Sequence, residues 1–154
     1  FQAYYEPKGL YQNELYPGMT QTLADLQAQD YQLAIATSKP EPFAQRIIEH
    51  LNLGTYFAGI YGASVDETTR VKKADVITYA LAKLQLKPQS DPLLMVGDRQ
   101  NDILGAKANQ LPAIGVSYGY GSLAELKKAG ALKIIAQPTD LLTTVPQAFQ
   151  TNAF

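Results

Sequence analysis

Short apolar runs alternate with amphipathic helical stretches along nearly the whole chain, and that alternation is the order of a parallel sheet with helices on its faces. Five runs carry it: YQLAIAT (31–37), AGIYGA (58–63), LLMVG (93–97), AIGVS (113–117) and KIIA (133–136). LLMVG is apolar without interruption, as expected of a strand buried on both sides. The intervening stretches repeat at helical spacing. Residues 19–29 place Met19, Leu23 and Leu26 on one stripe, and KKADVITYALAKL places Val76, Ile77, Ala80, Leu81 and Leu84 on another. In EPFAQRIIEHL the spacing predicts one apolar face of Phe43, Ile47, Ile48 and Leu51, with His50 partly buried or capping. SLAELKKA is closed by Gly130, and a last helix is expected from about Pro138, with Pro146 interrupting it.

A chain of 154 residues fits one domain and can bury a sizeable core without staples. Thirteen basic against fourteen acidic residues leave a net charge of −1, so no global positive field attracts a polyanion and nucleic-acid binding is not expected. No apolar run approaches the roughly 18–20 residues of a membrane span. Zero cysteines exclude thiol catalysis, disulfides and cysteine-ligated zinc and fit a reducing, cytoplasmic compartment, while the single histidine excludes multi-histidine metal sites. The chain opens with FQAYYEPKGLYQNELYPG, which has neither a starting Met nor the basic-then-apolar pattern of a signal peptide.

In an open α/β sheet, ligands bind beyond the carboxyl ends of the strands. Three sets of chemically active residues sit at such boundaries: Thr37-Ser38-Lys39, Lys72 and Lys73 at the start of the strongest helix, and Asp98 with Asp102 after LLMVG. Hydroxyls at a strand tip can bond a phosphate, and equally can serve as turn or cap residues. A lysine opening a helix opposes the helix dipole and so invites an anion, although Lys72 and Lys73 compete for the role. Two carboxylates four residues apart form an oxygen-only site suited to Mg2+; the plainer reading is a turn followed by a helix cap. Arg99 could face an anionic substrate or be merely solvated. Tyr4, Tyr5, Tyr11 and Tyr16 could line a cleft or be ordinary packing aromatics, and Gly119-Tyr120-Gly121 lacks a phosphate-loop lysine and is expected to make a turn.

The order hydroxyl, lysine, paired aspartates resembles the haloacid-dehalogenase-like hydrolase superfamily, in particular its phosphoglycolate-phosphatase-like branch. LAIATSKP is similar to that family's second motif, TRVKKADVITYAL to its third and LLMVGDRQND to its fourth, and GVSYGYGSLAELKKAGALKIIAQPTDLL is similar to the branch's usual ending. The resemblance implies a three-layer Rossmann-like core and a Mg2+-dependent phosphatase of a small phosphorylated metabolite acting through an aspartyl-phosphate. It further implies Asp98 and Asp102 as metal-site carboxylates, Lys73 as the catalytic lysine that neutralises the phosphoaspartate, and Thr37 with Ser38 as phosphate-binding residues. A receiver-type signalling domain has similar ingredients in the reverse order and fits less well.

One departure from the family pattern is large. The first motif, an Asp-x-Asp at the tip of the first core strand, has no match before Thr37; Asp25 and Asp30 lie in or just past a helix. No nucleophile or general acid is therefore expected in this chain. Residues 1–16 are read as the end of a helical cap and its hinge, and 17–154 as a core lacking its first strand. On that reading the chain is an N-terminally incomplete copy, or a non-catalytic fragment that binds Mg2+ and phosphate. Loss of a central strand would leave the strands ending at Thr37 and Asp98 with unpaired inner edges, which predicts a marginal, aggregating chain or a homodimer formed by strand exchange.

Overall fold

A computed structural model describes residues 2–5, 18–66, 68–119 and 121–150, the first four as backbone only. Six strands form one parallel sheet: β1 (Gln2–Tyr5), β2 (Gln32–Pro40), β3 (Gly59–Ala63), β4 (Leu93–Gly97), β5 (Ala113–Val116) and β6 (Lys133–Ile135). Their spatial order is β3-β2-β1-β4-β5-β6, the order of a doubly wound nucleotide-binding sheet. Six helices connect or follow them: α1 (Met19–Ala28), α2 (Glu41–His50), α3 (Lys73–Leu84), α4 (Gln100–Ala108), α5 (Leu123–Ala129) and α6 (Leu141–Gln150). Helices α3, α4 and α5 each touch the next, and α1 touches α6. Right-handed crossovers put the first three on one face of the sheet and α1, α2 and α6 on the other.

The strand expected to be missing is occupied. Gln2–Tyr5 lies between β2 and β4 and pairs in parallel with both, Ala3 opposite Leu33 on one side and Leu94 on the other. The predicted open inner edges are therefore closed, and part of the segment read as cap remnant belongs to the sheet. The reason is backbone satisfaction. Two flanking apolar strands present rows of N–H and C=O groups whose burial without partners costs about 1–3 kcal/mol each, and a short segment with two tyrosines, a strand-favouring residue, supplies those partners. QAYY contains no carboxylate, so this strand takes the first-strand place without an Asp-x-Asp. The remaining cap and hinge expectation, with Tyr11 and Tyr16, lies outside the described residues.

Periodicity translates directly into burial in the rest of the core. All five residues of β4 are buried, and α1 turns Met19, Leu23 and Leu26 inward. Helix α3 contributes Val76 and Ile77 to the core cluster and also buries Ala80, with Leu81 packed at the margin. Helix α2 departs from its predicted face: Ala44 and Ile48 are buried, Phe43 is 38% exposed and His50 is exposed. An i, i+4 pair is enough for a helix that covers only the edge of the sheet over β2 and β3. Pro146 does not interrupt α6, which continues to Gln150. A mid-helix proline costs about 3 kcal/mol. Burial of Leu141, Val145 and Ala148 on both sides of Pro146 offsets that cost.

Candidate active site

The carboxyl ends of β2 and β4 face the same edge of the sheet, and α3 starts there. Lys73, in the first turn of α3, is buried at 6% exposure, whereas Lys72 before it is exposed. The Lys73 ammonium lies 2.7 Å from Oδ1 of Asp102 and donates to the carbonyl of Ala36 at 3.2 Å. One cation thus ties the tip of β2 to the start of α4. The loop leading into Lys73 is anchored by Arg70, whose Nε donates to the carbonyl of Gly62 at 2.8 Å and whose guanidinium stacks over the Tyr79 ring at 3.8 Å. Glu41 completes this anchor: it accepts from the Gly62 amide and sits 3.8 Å from Arg70.

Asp102 performs two tasks at once. Its Oδ1 meets Lys73, while its Oδ2 accepts from the backbone amides of Asp98 at 3.0 Å and Arg99 at 3.1 Å. Asp102 therefore caps the start of α4 and pairs with the buried lysine at once. For Asp102 to fold back over the strand end, the residue beneath it must lack a side chain, since a Cβ on Gly97 would collide with the Asp102 side chain. Gly97, Asp98 and Asp102 form one steric unit. Asp98 is buried at 8% exposure, and its carbonyl accepts from the amide of Gly121 at 2.9 Å.

Thr37 is buried at 2% exposure, and its hydroxyl accepts from the Lys39 amide at 3.2 Å; Ser38 is exposed. An ion pair and backbone hydrogen bonds thus link Lys73, Asp102 and Asp98 into one chain of bonds, with Thr37 following the Ala36 carbonyl that Lys73 holds. Asp25 lies in the last turn of α1 and Asp30 in the turn after it, which leads into the opposite, amino end of β2. His50, exposed at the end of α2, takes no part.

The segment after β5 turns at residues 117–119 as expected, and it has a further role that its spacing does not signal. A Cβ on Gly119 would fall on the Asp98 side chain, so the turn is also a surface fitted to Asp98. Glu125, in the first turn of α5, accepts from the Gln100 amide at 2.7 Å and from Arg99 Nε at 2.9 Å through the same oxygen. These bonds, the Gln100 amide first, hold the Glu125 carboxyl below the usual carboxylate range, and the bond to Glu125 raises the Arg99 guanidinium above its already high value. The pattern Ser122-x-x-Glu125 is a capping-box signature that marks the helix start but not its partner 25 residues upstream.

A family model described as haloacid dehalogenase-like hydrolase matches residues 1–116. The chain belongs to that family. Among relatives, the haloacid dehalogenase-like chain is 43% identical over 121 residues to the tyrosine-protein kinase PtkA of Mycobacterium tuberculosis, covering 79% of this chain and 40% of that protein. It is 31% identical over 150 residues to the phosphoglycolate phosphatase of Photobacterium profundum, covering 96% and 63% respectively. The crystal structure of a predicted phosphatase from Clostridium acetobutylicum superposes with a TM-score of 0.84 at 41% identity, over 91% of this chain and 63% of that one. The chain therefore spans between two fifths and two thirds of the length of these proteins.

The family's metal tests the donor set. Mg2+ takes oxygen ligands, commonly one or two carboxylates completed by water and substrate phosphate. Asp98 fits such a site, while both oxygens of Asp102 are already engaged by Lys73 and two amides. Among the described residues no group of three or more His, Cys, Asp or Glu side chains is placed to hold an ion, and no helix is long and apolar enough to cross a membrane.

Proposed function

We propose that this chain is the core of a Mg2+-dependent phosphatase acting on a small phosphorylated metabolite, of phosphoglycolate-like size, through an aspartyl-phosphate intermediate. The observation that carries the reading is the convergence of Lys73 on both strand tips: a buried cation 2.7 Å from Asp102 and 3.2 Å from the Ala36 carbonyl, next to Thr37. A phosphoryl group arriving at this edge would meet a fixed positive charge and the hydroxyls of Thr37 and Ser38, the arrangement that stabilises charge developing on a transferring phosphate. Asp98 would hold Mg2+ directly and Asp102 would orient Asp98 and Lys73 from behind. The metal supplies charge neutralisation at the phosphate oxygens when bound. The phosphatase reading is favoured over the kinase named in one relative because the phosphoglycolate phosphatase match runs along 96% of this chain, against 79% for the kinase.

No residue of this chain would supply the nucleophile or the general acid, and the chain would bind Mg2+ and phosphate without turnover. A cytoplasmic location and a cap segment preceding residue 17 belong to the same reading. The test is an assay of the pure chain with an aryl phosphate and Mg2+, beside the Asp98→Asn variant of a complete parent enzyme. The expected results are no phosphate release from the chain and joint loss of Mg2+ response and turnover in the variant. Mg2+-dependent release by the pure chain overturns the missing-nucleophile reading, and an unchanged Mg2+ response in the variant moves the metal away from Asp98.

A further inference from the structure

We infer that Glu125 is a positioning residue for Asp98, and that Gly119, Gly121 and Glu125 together form a clamp supplied by the segment after β5. The inference rests on the reading of Asp98 as a Mg2+ ligand. Asp98 is held from two sides: its amide by Asp102 at 3.0 Å on the α4 side, its carbonyl by the Gly121 amide at 2.9 Å on the α5 side. Its side chain lies where a Cβ on Gly119 would stand, and a Cβ on Gly121 would strike its carbonyl oxygen. Both glycines therefore exist as space for this one residue.

Glu125 locks the next two positions. One carboxylate oxygen receives the Gln100 amide at 2.7 Å and Arg99 Nε at 2.9 Å, while Ser122 Oγ accepts from the Glu125 amide at 3.0 Å and fixes where Glu125 starts. An ordinary surface ion pair joins two side chains and contributes little. Here the carboxylate also binds the main chain two residues beyond Asp98, and its side chain is 19% exposed against 51% for Arg99. The consequence is that Asp98 has no freedom to recoil from a partner charge or to follow one. Outer-shell groups that orient a metal ligand in this way typically change metal affinity by about 10–100-fold when removed.

The experiment is calorimetric titration of the 154-residue chain with MgCl2, together with amide hydrogen exchange, for wild type, Glu125→Ala and Glu125→Gln. Glu125→Ala should weaken Mg2+ binding about 10-fold and speed exchange at Asp98, Gln100 and Gly121 relative to Val96 in the core of β4. Glu125→Gln retains an oxygen acceptor without the charge and should fall between the two, since charge-assisted bonds are roughly twice as strong as neutral ones. Should the alanine variant fail to fold, the glutamine variant carries the same comparison. Mg2+ affinity within about twofold of wild type in a folded Glu125→Ala, or exchange at Asp98 and Gly121 that tracks Val96, overturns the clamp. Absence of saturable Mg2+ binding by the wild type defeats the metal reading of Asp98 instead, and the exchange data then decide the clamp alone.

Discussion

The two strand tips that meet at the site are built in opposite ways. At the end of β4 the main chain is engaged at successive positions: the amides of Asp98 and Arg99 go to Asp102, the amide of Gln100 goes to Glu125, and the carbonyl of Asp98 goes to Gly121. At the end of β2 the pairing with β3 shifts register between Ala36 and Pro40, the Thr37 hydroxyl accepts from the Lys39 amide, and Ser38 is exposed. The chemistry each tip carries accounts for the contrast. Buried carboxylates need donors and a cation to offset desolvation, whereas a neutral hydroxyl is satisfied by a local bond when buried, as at Thr37, or by solvent when exposed, as at Ser38. The β4 tip is thus preset by bonds to four main-chain groups, and the β2 tip joins it through the Ala36 carbonyl that Lys73 holds.

The strongest way to break this contrast is to remove the cation the two tips share. Lys73→Met keeps the aliphatic stem and leaves Asp102 buried without its partner, an arrangement that costs about 3–5 kcal/mol in comparable buried pairs. Urea denaturation measures it, and Lys73→Met combined with Asp102→Asn should recover part of the loss because the stranded charge is gone. A single-variant loss below about 1 kcal/mol would mean that solvent reaches the pair, and the β4 tip would then not be the preset element described above.

A smaller effect compares one serine from each tip. Ser122 caps α5 through the Glu125 amide at 3.0 Å, so Ser122→Ala should cost about 1 kcal/mol. Ser38 is exposed, and Ser38→Ala should stay within about 0.5 kcal/mol while weakening inorganic phosphate binding if Ser38 contacts phosphate. Thermal unfolding of both, with a phosphate titration of the second, separates the two. Equal destabilisation would remove the asymmetry.

What could be read from sequence follows the same division. β4 and α3 were legible because a continuous apolar run and an i, i+4 stripe are local patterns, and Asp98, Asp102 and Lys73 because they sit at the ends of those patterns. Which of Lys72 and Lys73 turns inward is decided by the fold and not by spacing: Lys73 is buried and Lys72 exposed. Gln2–Tyr5 was not legible as a strand: four residues without alternation become one only because β2 and β4 present unpaired groups on either side. Gly119, Gly121 and Glu125 were missed for a similar reason. Their role depends on contacts across more than 20 residues, which no local spacing encodes. His50 is read from sequence as partly buried or capping, but α2 covers the sheet edge with Ala44 and Ile48 and leaves His50 itself in solvent.

The smallest expected effect is pH-dependent and belongs to the β4 tip alone. Glu125 is held below the usual carboxylate range, first by the Gln100 amide and then by Arg99, so its folded-state value lies below its unfolded one. A group shifted in that direction stabilises the fold above its unfolded value, near pH 4.3 for glutamate, and loses that contribution as pH falls through the depressed folded value. Melting wild type and Glu125→Gln side by side from pH 7 to pH 3 should therefore show a constant advantage for wild type above about pH 5 that shrinks below about pH 4. Over the same range amide exchange at Gly121 should rise before exchange at Lys39, because acid removes the charge that ties α5 to the Asp98 segment, whereas the Lys39 amide bonds the neutral Thr37 hydroxyl. An advantage independent of pH would assign the loss to the shape of the glutamine rather than to the charge, and the bracing of the β4 tip would then be steric.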